Sequence, residues 1–223
     1  MQRFQSLFPV LTLLSWLALA LGAPSASAQG TRPIEVVAFG DSLSAGLGVG
    51  PGESFPEQLQ AALRSRGYEA SVVNAGVSGD TTTGGLARLD WSVPESADLV
   101  ILELGANDAL RGVSPDVVRR NLDAMLGRLA ARPNTRVLLA GMIAPPNMGG
   151  GYGEAFNRIY PELAQKYGVA LYPFFLDGVA AVSDLNQDDA MHPNARGVAV
   201  IVERILPAVD RELQALGAAP RAG

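Results

Sequence analysis

Five short apolar runs punctuate the chain, and most are closed by glycine or proline. Ile34-Glu35-Val36-Val37-Ala38-Phe39 stops at Gly40, and Leu99-Val100-Ile101-Leu102-Glu103-Leu104 stops at Gly105. Ser71 to Asn74, Arg136 to Ala140 and Val169 to Tyr172 complete the set. Their length and β-branched content predict buried strands. Between them the apolar residues recur at helical spacing. Phe55, Leu59, Ala62 and Leu63 predict a helix over 55–66, with Ser54 as N-cap, Pro56 and Glu57 in the first turn and Gly67 as the stop. Ser114-Pro115-Asp116 opens a second helix, continued by Val118, Leu122, Met125, Leu126 and Leu129. A third spans Tyr152 to Tyr167, where Pro161 should kink or interrupt it. Pro193 to Leu216 predicts a closing amphipathic helix. Asn147 to Gly153 reads as a mobile Gly-rich loop and residues 217–223 as a fraying tail.

Continuous apolar strands alternating with amphipathic helices predict an α/β fold: a three-layer α/β/α sandwich around five parallel strands. No repeat or low-complexity linker interrupts residues 33–216. In such a sheet, chemistry collects at the carboxyl ends of the strands. The segments after the first three strands are polar and Gly-rich: Gly40 to Ser44, Gly76 to Thr81 and Gly105 to Asp108. All three are predicted on one sheet edge.

The N-terminus changes the picture of where the chain works. Arg3 precedes an apolar run from Leu7 to Leu21, and Ala26-Ser27-Ala28 has the small-x-small form that signal peptidases cut after. Residues 1–28 are expected as a cleaved leader and residues 29–223 as a single domain, exported to the periplasm or secreted. The apolar run is short for a membrane span, which disfavours an uncleaved anchor. With 223 residues, 48% hydrophobic and 17% charged, one domain has ample core. The net charge of −5 argues against nucleic acid as a partner. There is no cysteine, which excludes disulfides, a thiol nucleophile and Cys-based zinc. There is one histidine, which excludes a multi-His metal site. Asp41, Asp80 and Asp108 read as loop-bracing acids, and together with Glu53 they lack calcium-loop spacing, so no metal is expected.

Ser42 falls just past the first strand, where a hydroxyl leaves the sheet edge near backbone N–H groups. The position equally suits a helix N-cap serine. The G-x-S-x-G elbow is not matched, because Ser44 stands where its second glycine would be. His192 lies in Asp189-Ala190-Met191-His192-Pro193-Asn194. Asp189, three residues earlier, can hold the ring N–H and leave the other nitrogen to take a serine proton. Asp184 and Asp188 compete for that role. Gly79 can bring a backbone N–H close to a substrate oxygen, and Asn107 can donate an amide hydrogen bond. A turn glycine and a capping asparagine would look the same.

Four ordered blocks resemble the GDSL, or SGNH, hydrolase family, in its bacterial thioesterase I / lysophospholipase / arylesterase branch. They are Phe39-Gly40-Asp41-Ser42-Leu43-Ser44-Ala45-Gly46, Asn74-Ala75-Gly76-Val77-Ser78-Gly79-Asp80-Thr81, Glu103-Leu104-Gly105-Ala106-Asn107-Asp108 and Asp189 to Asn194. Tyr160-Pro161 and Tyr172-Pro173-Phe174-Phe175 also look like that branch. The resemblance implies a flavodoxin-like strand order 2-1-3-4-5 and no cofactor. It implies Ser42 as nucleophile, His192 as base and Asp189 as its orienting partner. It implies an oxyanion hole from the Ser42 and Gly79 N–H groups and the Asn107 side chain. Ala106 departs from the second glycine that related enzymes often carry there.

The implied activity is hydrolysis of small-molecule acyl esters, thioesters or lysophospholipids by an acyl-enzyme route, in a chain expected to be a monomer. An acyltransferase or carbohydrate deacetylase would use the same triad, and a lipid-binding protein would use the same edge without turnover. Leu110, Pro145, Met148 and Phe156 are the expected acyl-pocket residues, with 142–153 as a mobile wall setting chain-length preference.

Overall fold

The computed structural model describes Met1 and residues 32–220. Met1 aside, the leader expected over 1–28 lies outside the described residues. From Pro33 onward the chain forms one compact unit. Its elements run β1 (Ile34–Gly40), α1 (Ser42–Ala45), α2 (Phe55–Ser65), β2 (Ala70–Gly76), α3 (Thr82–Ser92), β3 (Leu99–Glu103), α4 (Ala106–Leu110), α5 (Pro115–Ala130), β4 (Arg136–Ala140), α6 (Gly150–Asn157), α7 (Ile159–Tyr167), β5 (Ala170–Tyr172) and α8 (Ala195–Ala215). Short 3-10 turns cover Pro146–Met148 and Ser183–Leu185.

The five strands form one parallel sheet in the order β2-β1-β3-β4-β5. All five residues of β3 are buried, as a central strand covered on both faces requires. Fully burying a Leu, Val, Ile or Phe side chain stabilises by about 1.5–3 kcal/mol each. Helices α2 and α8 pack together as one outer layer, while α3, α5 and α7 pack in series as the other. The register sets Gly40 beside Gly76 on one side and beside Glu103 on the other. The first three strands therefore end level, and the loops after them share one edge.

Two local expectations are corrected and one is borne out. The Gly-rich stretch 147–153 is not an open loop. It folds into a 3-10 turn and the start of α6, where Tyr152 Oη donates to the Val113 carbonyl at 2.8 Å and its ring stacks on Phe156. The helix expected over 152–167 is interrupted, as Pro161 requires: it breaks at Arg158, and Pro161 sits in the first turn of α7, where a missing N–H costs nothing. Residues 217–218 finish α8: Gly217 adopts φ +78, its N–H donates to Gln214, and the Ala218 N–H donates to Leu213. Helix α3 has no counterpart in the hydrophobic pattern. Gly84 and Gly85 lower its propensity, and its apolar stripe is sparse.

Among the described residues, no helix is long and apolar enough to cross a membrane.

Candidate active site

Ser42 is the first residue of α1, a single turn that follows β1 directly. Asp41 caps that turn, its Oδ1 accepting from the Leu43 N–H at 3.0 Å. The leading N–H groups of a helix have no acceptor within it. Among the described residues nothing accepts the Ser42 N–H, so a donor stands beside the hydroxyl.

Ser42 Oγ lies 2.9 Å from His192 Nε2, and His192 Nδ1 lies 2.6 Å from Asp189 Oδ2. An ionised carboxylate only accepts, so this contact places the ring proton on Nδ1 and leaves the Nε2 lone pair for the serine proton. Asp189 Oδ1 accepts from the Met191 and His192 N–H groups at 2.9 and 3.0 Å. The His192 N–H and ring, then the Met191 N–H, hold the Asp189 carboxyl down to about 2. It is therefore ionised at neutral pH. Of the three acids near the histidine, Asp189 is the one that touches the ring.

The histidine loop is tied to the serine loop. Gln187 Nε2 donates to the Leu47 carbonyl at 2.7 Å and to the Pro193 carbonyl at 2.9 Å, and the Gln187 N–H donates to the His192 carbonyl at 2.7 Å. These bonds join two loops that are 150 residues apart at Ser42 and His192, without relying on the Ser42–His192 contact itself. Ala190 adopts φ +58, an uncommon left-handed alanine in the tight turn that presents His192.

Asn107 belongs to α4, and its Nδ2 donates to Asp41 Oδ2 at 3.0 Å. That bond fixes which end of the amide faces the groove and leaves the second N–H of the amide open. Ala106, the departure noted in the sequence, is the first residue of α4 and suits a helical position. Gly79 occupies the turn Val77–Asp80 with φ +79, a conformation that excludes most side chains. Its carbonyl accepts from Arg111 Nη2 at 2.9 Å, and among the described residues nothing accepts its N–H. Ser42, Asn107 and His192 line one groove, while Gly79 sits on a neighbouring turn outside its lining.

Two buried acids lie close to Ser42. Asp41 is fully buried, and burial raises its carboxyl to about 6 against the pull of Leu43 and Asn107. Glu103 Oε2 accepts from the Ser44 hydroxyl at 2.8 Å and the Asp41 N–H at 3.2 Å, while Oε1 has no partner. Burial, and then the charge of Asp41, push the Glu103 carboxyl well above its ordinary range. Asp80 and Asp108 brace loops, Asp80 accepting from the Thr81 N–H and Asp108 from both Thr82 donors.

The groove has a volume of about 540 Å³ and is mainly apolar. Its apolar lining includes Leu110, Ile143 and Pro145, together with Phe174, Leu176, Ala180, Ala181 and Met191 from the segment after β5. Sequence reasoning missed the contribution of this later segment, because an irregular stretch carries no periodicity to mark it. Two expected pocket residues lie elsewhere. Phe156 is fully buried in the core between Tyr152 and Tyr160, because α6 turns that face inward. Met148 is half-buried near Gly112 and does not line the groove.

Residues 38–200 match the GDSL-like Lipase/Acylhydrolase family. The chain is 41% identical to Esterase TesA of Pseudomonas aeruginosa over 88% of its own length and 96% of that protein. It is 41% identical to Thioesterase 1/protease 1/lysophospholipase L1 of Escherichia coli strain K12 over 70% of its length and 74% of that protein. Among solved structures it resembles AlinE4, an SGNH-hydrolase family esterase: 49% identity, 82% of this chain and 98% of that one covered, and a TM-score of 0.68.

Proposed function

The chain belongs to the GDSL-like lipase/acylhydrolase family and is a carboxylic ester hydrolase, and from that premise we propose that it works through an acyl-enzyme on Ser42. The observation that carries this reading is the unbroken chain from Ser42 Oγ to His192 Nε2, and from His192 Nδ1 to Asp189. His192 takes the serine proton as Oγ attacks the acyl carbonyl, and the Asp189 carboxylate stabilises the imidazolium that results. The Ser42 and Gly79 N–H groups and the open Asn107 N–H receive the developing oxyanion. The imidazolium returns its proton to the departing alcohol or thiol. Water then enters and attacks the acyl carbon as it gives a proton to His192, and collapse of the second tetrahedral state returns that proton to Ser42 Oγ as the acid leaves.

The mainly apolar groove suits an acyl chain, with the leaving group toward the open edge. The names of the relatives favour aryl and acyl esters, thioesters and lysophospholipids as substrates for this chain. The leader pattern over 1–28 supports export to the periplasm or beyond.

Hydrolysis of p-nitrophenyl esters, acyl-CoA thioesters and lysophosphatidylcholine by the wild type and by Ser42→Ala and His192→Ala tests the reading. Either substitution is expected to lower turnover at least about 1,000-fold on every substrate that the wild type accepts. Wild-type rates in either variant would overturn the assignment.

A further inference from the structure

Arg88 takes no part in the chemistry above, and its guanidinium is nearly out of solvent on α3. Its Nε donates to Asp80 Oδ2 at 2.7 Å. Its Nη1 donates to the Ala75 carbonyl at 2.8 Å and to Ser92 Oγ at 3.3 Å. Its Nη2 donates to the Gly40 carbonyl at 2.8 Å, and Cζ stands 4.1 Å from the centre of the Phe39 ring. One side chain therefore grips the carboxyl ends of β1 and β2 and the turn that follows β2. Gly40 stands two residues before Ser42, and Asp80 follows Gly79.

We propose that Arg88 is a positioning residue that fixes the separation of the Ser42 and Gly79 N–H groups, and so the shape of the oxyanion hole. This inference rests on the reading of those two groups as oxyanion donors. Arg88 is not among the groove-lining residues, so it acts through the strand ends.

The residue type fits the task. Only a guanidinium offers a rigid fork of donors to several separate acceptors, whereas a lysine ammonium is a single point on a flexible stem. A buried ion pair adds little net stability over apolar residues of the same volume, so fixed geometry is the better account of the Arg88–Asp80 pair. Besides the Asp80 N–H to Val77 carbonyl bond that closes it, the turn is tied to more distant residues by the Val77 N–H to the Gly40 carbonyl and by Arg111 Nη2 to the Gly79 carbonyl. The Val77 N–H converges with Arg88 on the same Gly40 oxygen, and the Arg111 bond lies on the exposed side.

An oxyanion forms only in the tetrahedral states, so loosening its donors lowers kcat and kcat/KM together and leaves KM in place. Arg88→Ala is expected to lose about 100-fold in kcat on p-nitrophenyl butyrate, with KM within about threefold of wild type. Low-millimolar guanidinium chloride, far below denaturing levels, should restore much of that rate, and ammonium chloride should not. A kcat within about threefold of wild type overturns the proposal. So does a loss that guanidinium fails to restore in a protein with a wild-type near-ultraviolet dichroism spectrum. If Arg88→Ala does not fold, Arg88→Lys replaces it. A lower kcat at constant KM then supports the proposal, and a wild-type kcat or a loss confined to KM overturns it. Ser42→Ala run alongside separates the two readings. An active Ser42→Ala variant defeats the nucleophile assignment, whereas an inactive one beside an unimpaired Arg88→Ala defeats only the positioning role.

Discussion

Glu103 ends β3 with a carboxyl group shut away from solvent, and one of its oxygens finds no partner. A neutral acid suits that place. Oε2 can accept from Ser44 and Asp41 while the acid proton stays on Oε1. Burial raises the carboxyl in the fold, so the native state holds this proton more tightly than the unfolded chain does. Above the unfolded carboxyl range, near pH 4.5, the unfolded state sheds the proton first, and stability falls as pH rises toward the folded value. Asp41 adds the same trend between its ordinary 3.8 and about 6. Glu103→Gln keeps the acceptor and removes the titration. Urea unfolding across pH 5 to 9 should show this variant gaining stability over wild type as pH rises, and a constant difference would contradict the neutral-acid account. The sequence hides this residue, because Glu103 sits inside an apolar run whose spacing says nothing about which polar member is buried. Arg88 is hidden for a different reason: it lies on α3, which the hydrophobic pattern does not mark. Ser42 and Asp189 were singled out through the four ordered blocks, because the residues alone left an N-cap serine and two competing acids open, whereas composition left one histidine to choose.

At the scale of elements, the strands were readable and the turns between them less so. The strands are continuous apolar runs because the sheet is covered on both faces, and that pattern survives without knowledge of tertiary contacts. Helix α3 and the groove lining supplied by the segment after β5 depend on tertiary contacts, so local pattern gave no sign of them. The junction of β3 and α4 shows how tightly one such turn is fitted. Gly105 adopts φ +120, and a Cβ there would lie 2.1 Å from Tyr160 Oη, which donates to the Leu104 carbonyl at 2.9 Å. Both the backbone and the space demand glycine, in the turn that delivers Asn107. Gly105→Ala is expected to destabilise the fold by about 1–3 kcal/mol, read as a lower urea midpoint at unchanged slope. An unchanged midpoint would mean that the turn is not under this constraint.

The whole molecule brings together groups that the sequence scatters. Strands β2, β1 and β3 are adjacent and end level, so the loops after them meet at one edge. The segment before α8 then brings His192 back across to Ser42. The order 2-1-3-4-5 and the three loops were legible beforehand, whereas the buried acids and arginine close to them were not. The central claim is that this assembly makes one serine nucleophilic and that His192 does the activating. Covalent labelling by a fluorophosphonate, followed by intact-mass and peptide mass spectrometry, tests it most directly. The wild type should gain a single adduct on the Ser42 peptide, and His192→Ala should label far more slowly or not at all. An adduct on another residue, or wild-type labelling of Ser42 in His192→Ala, would contradict it.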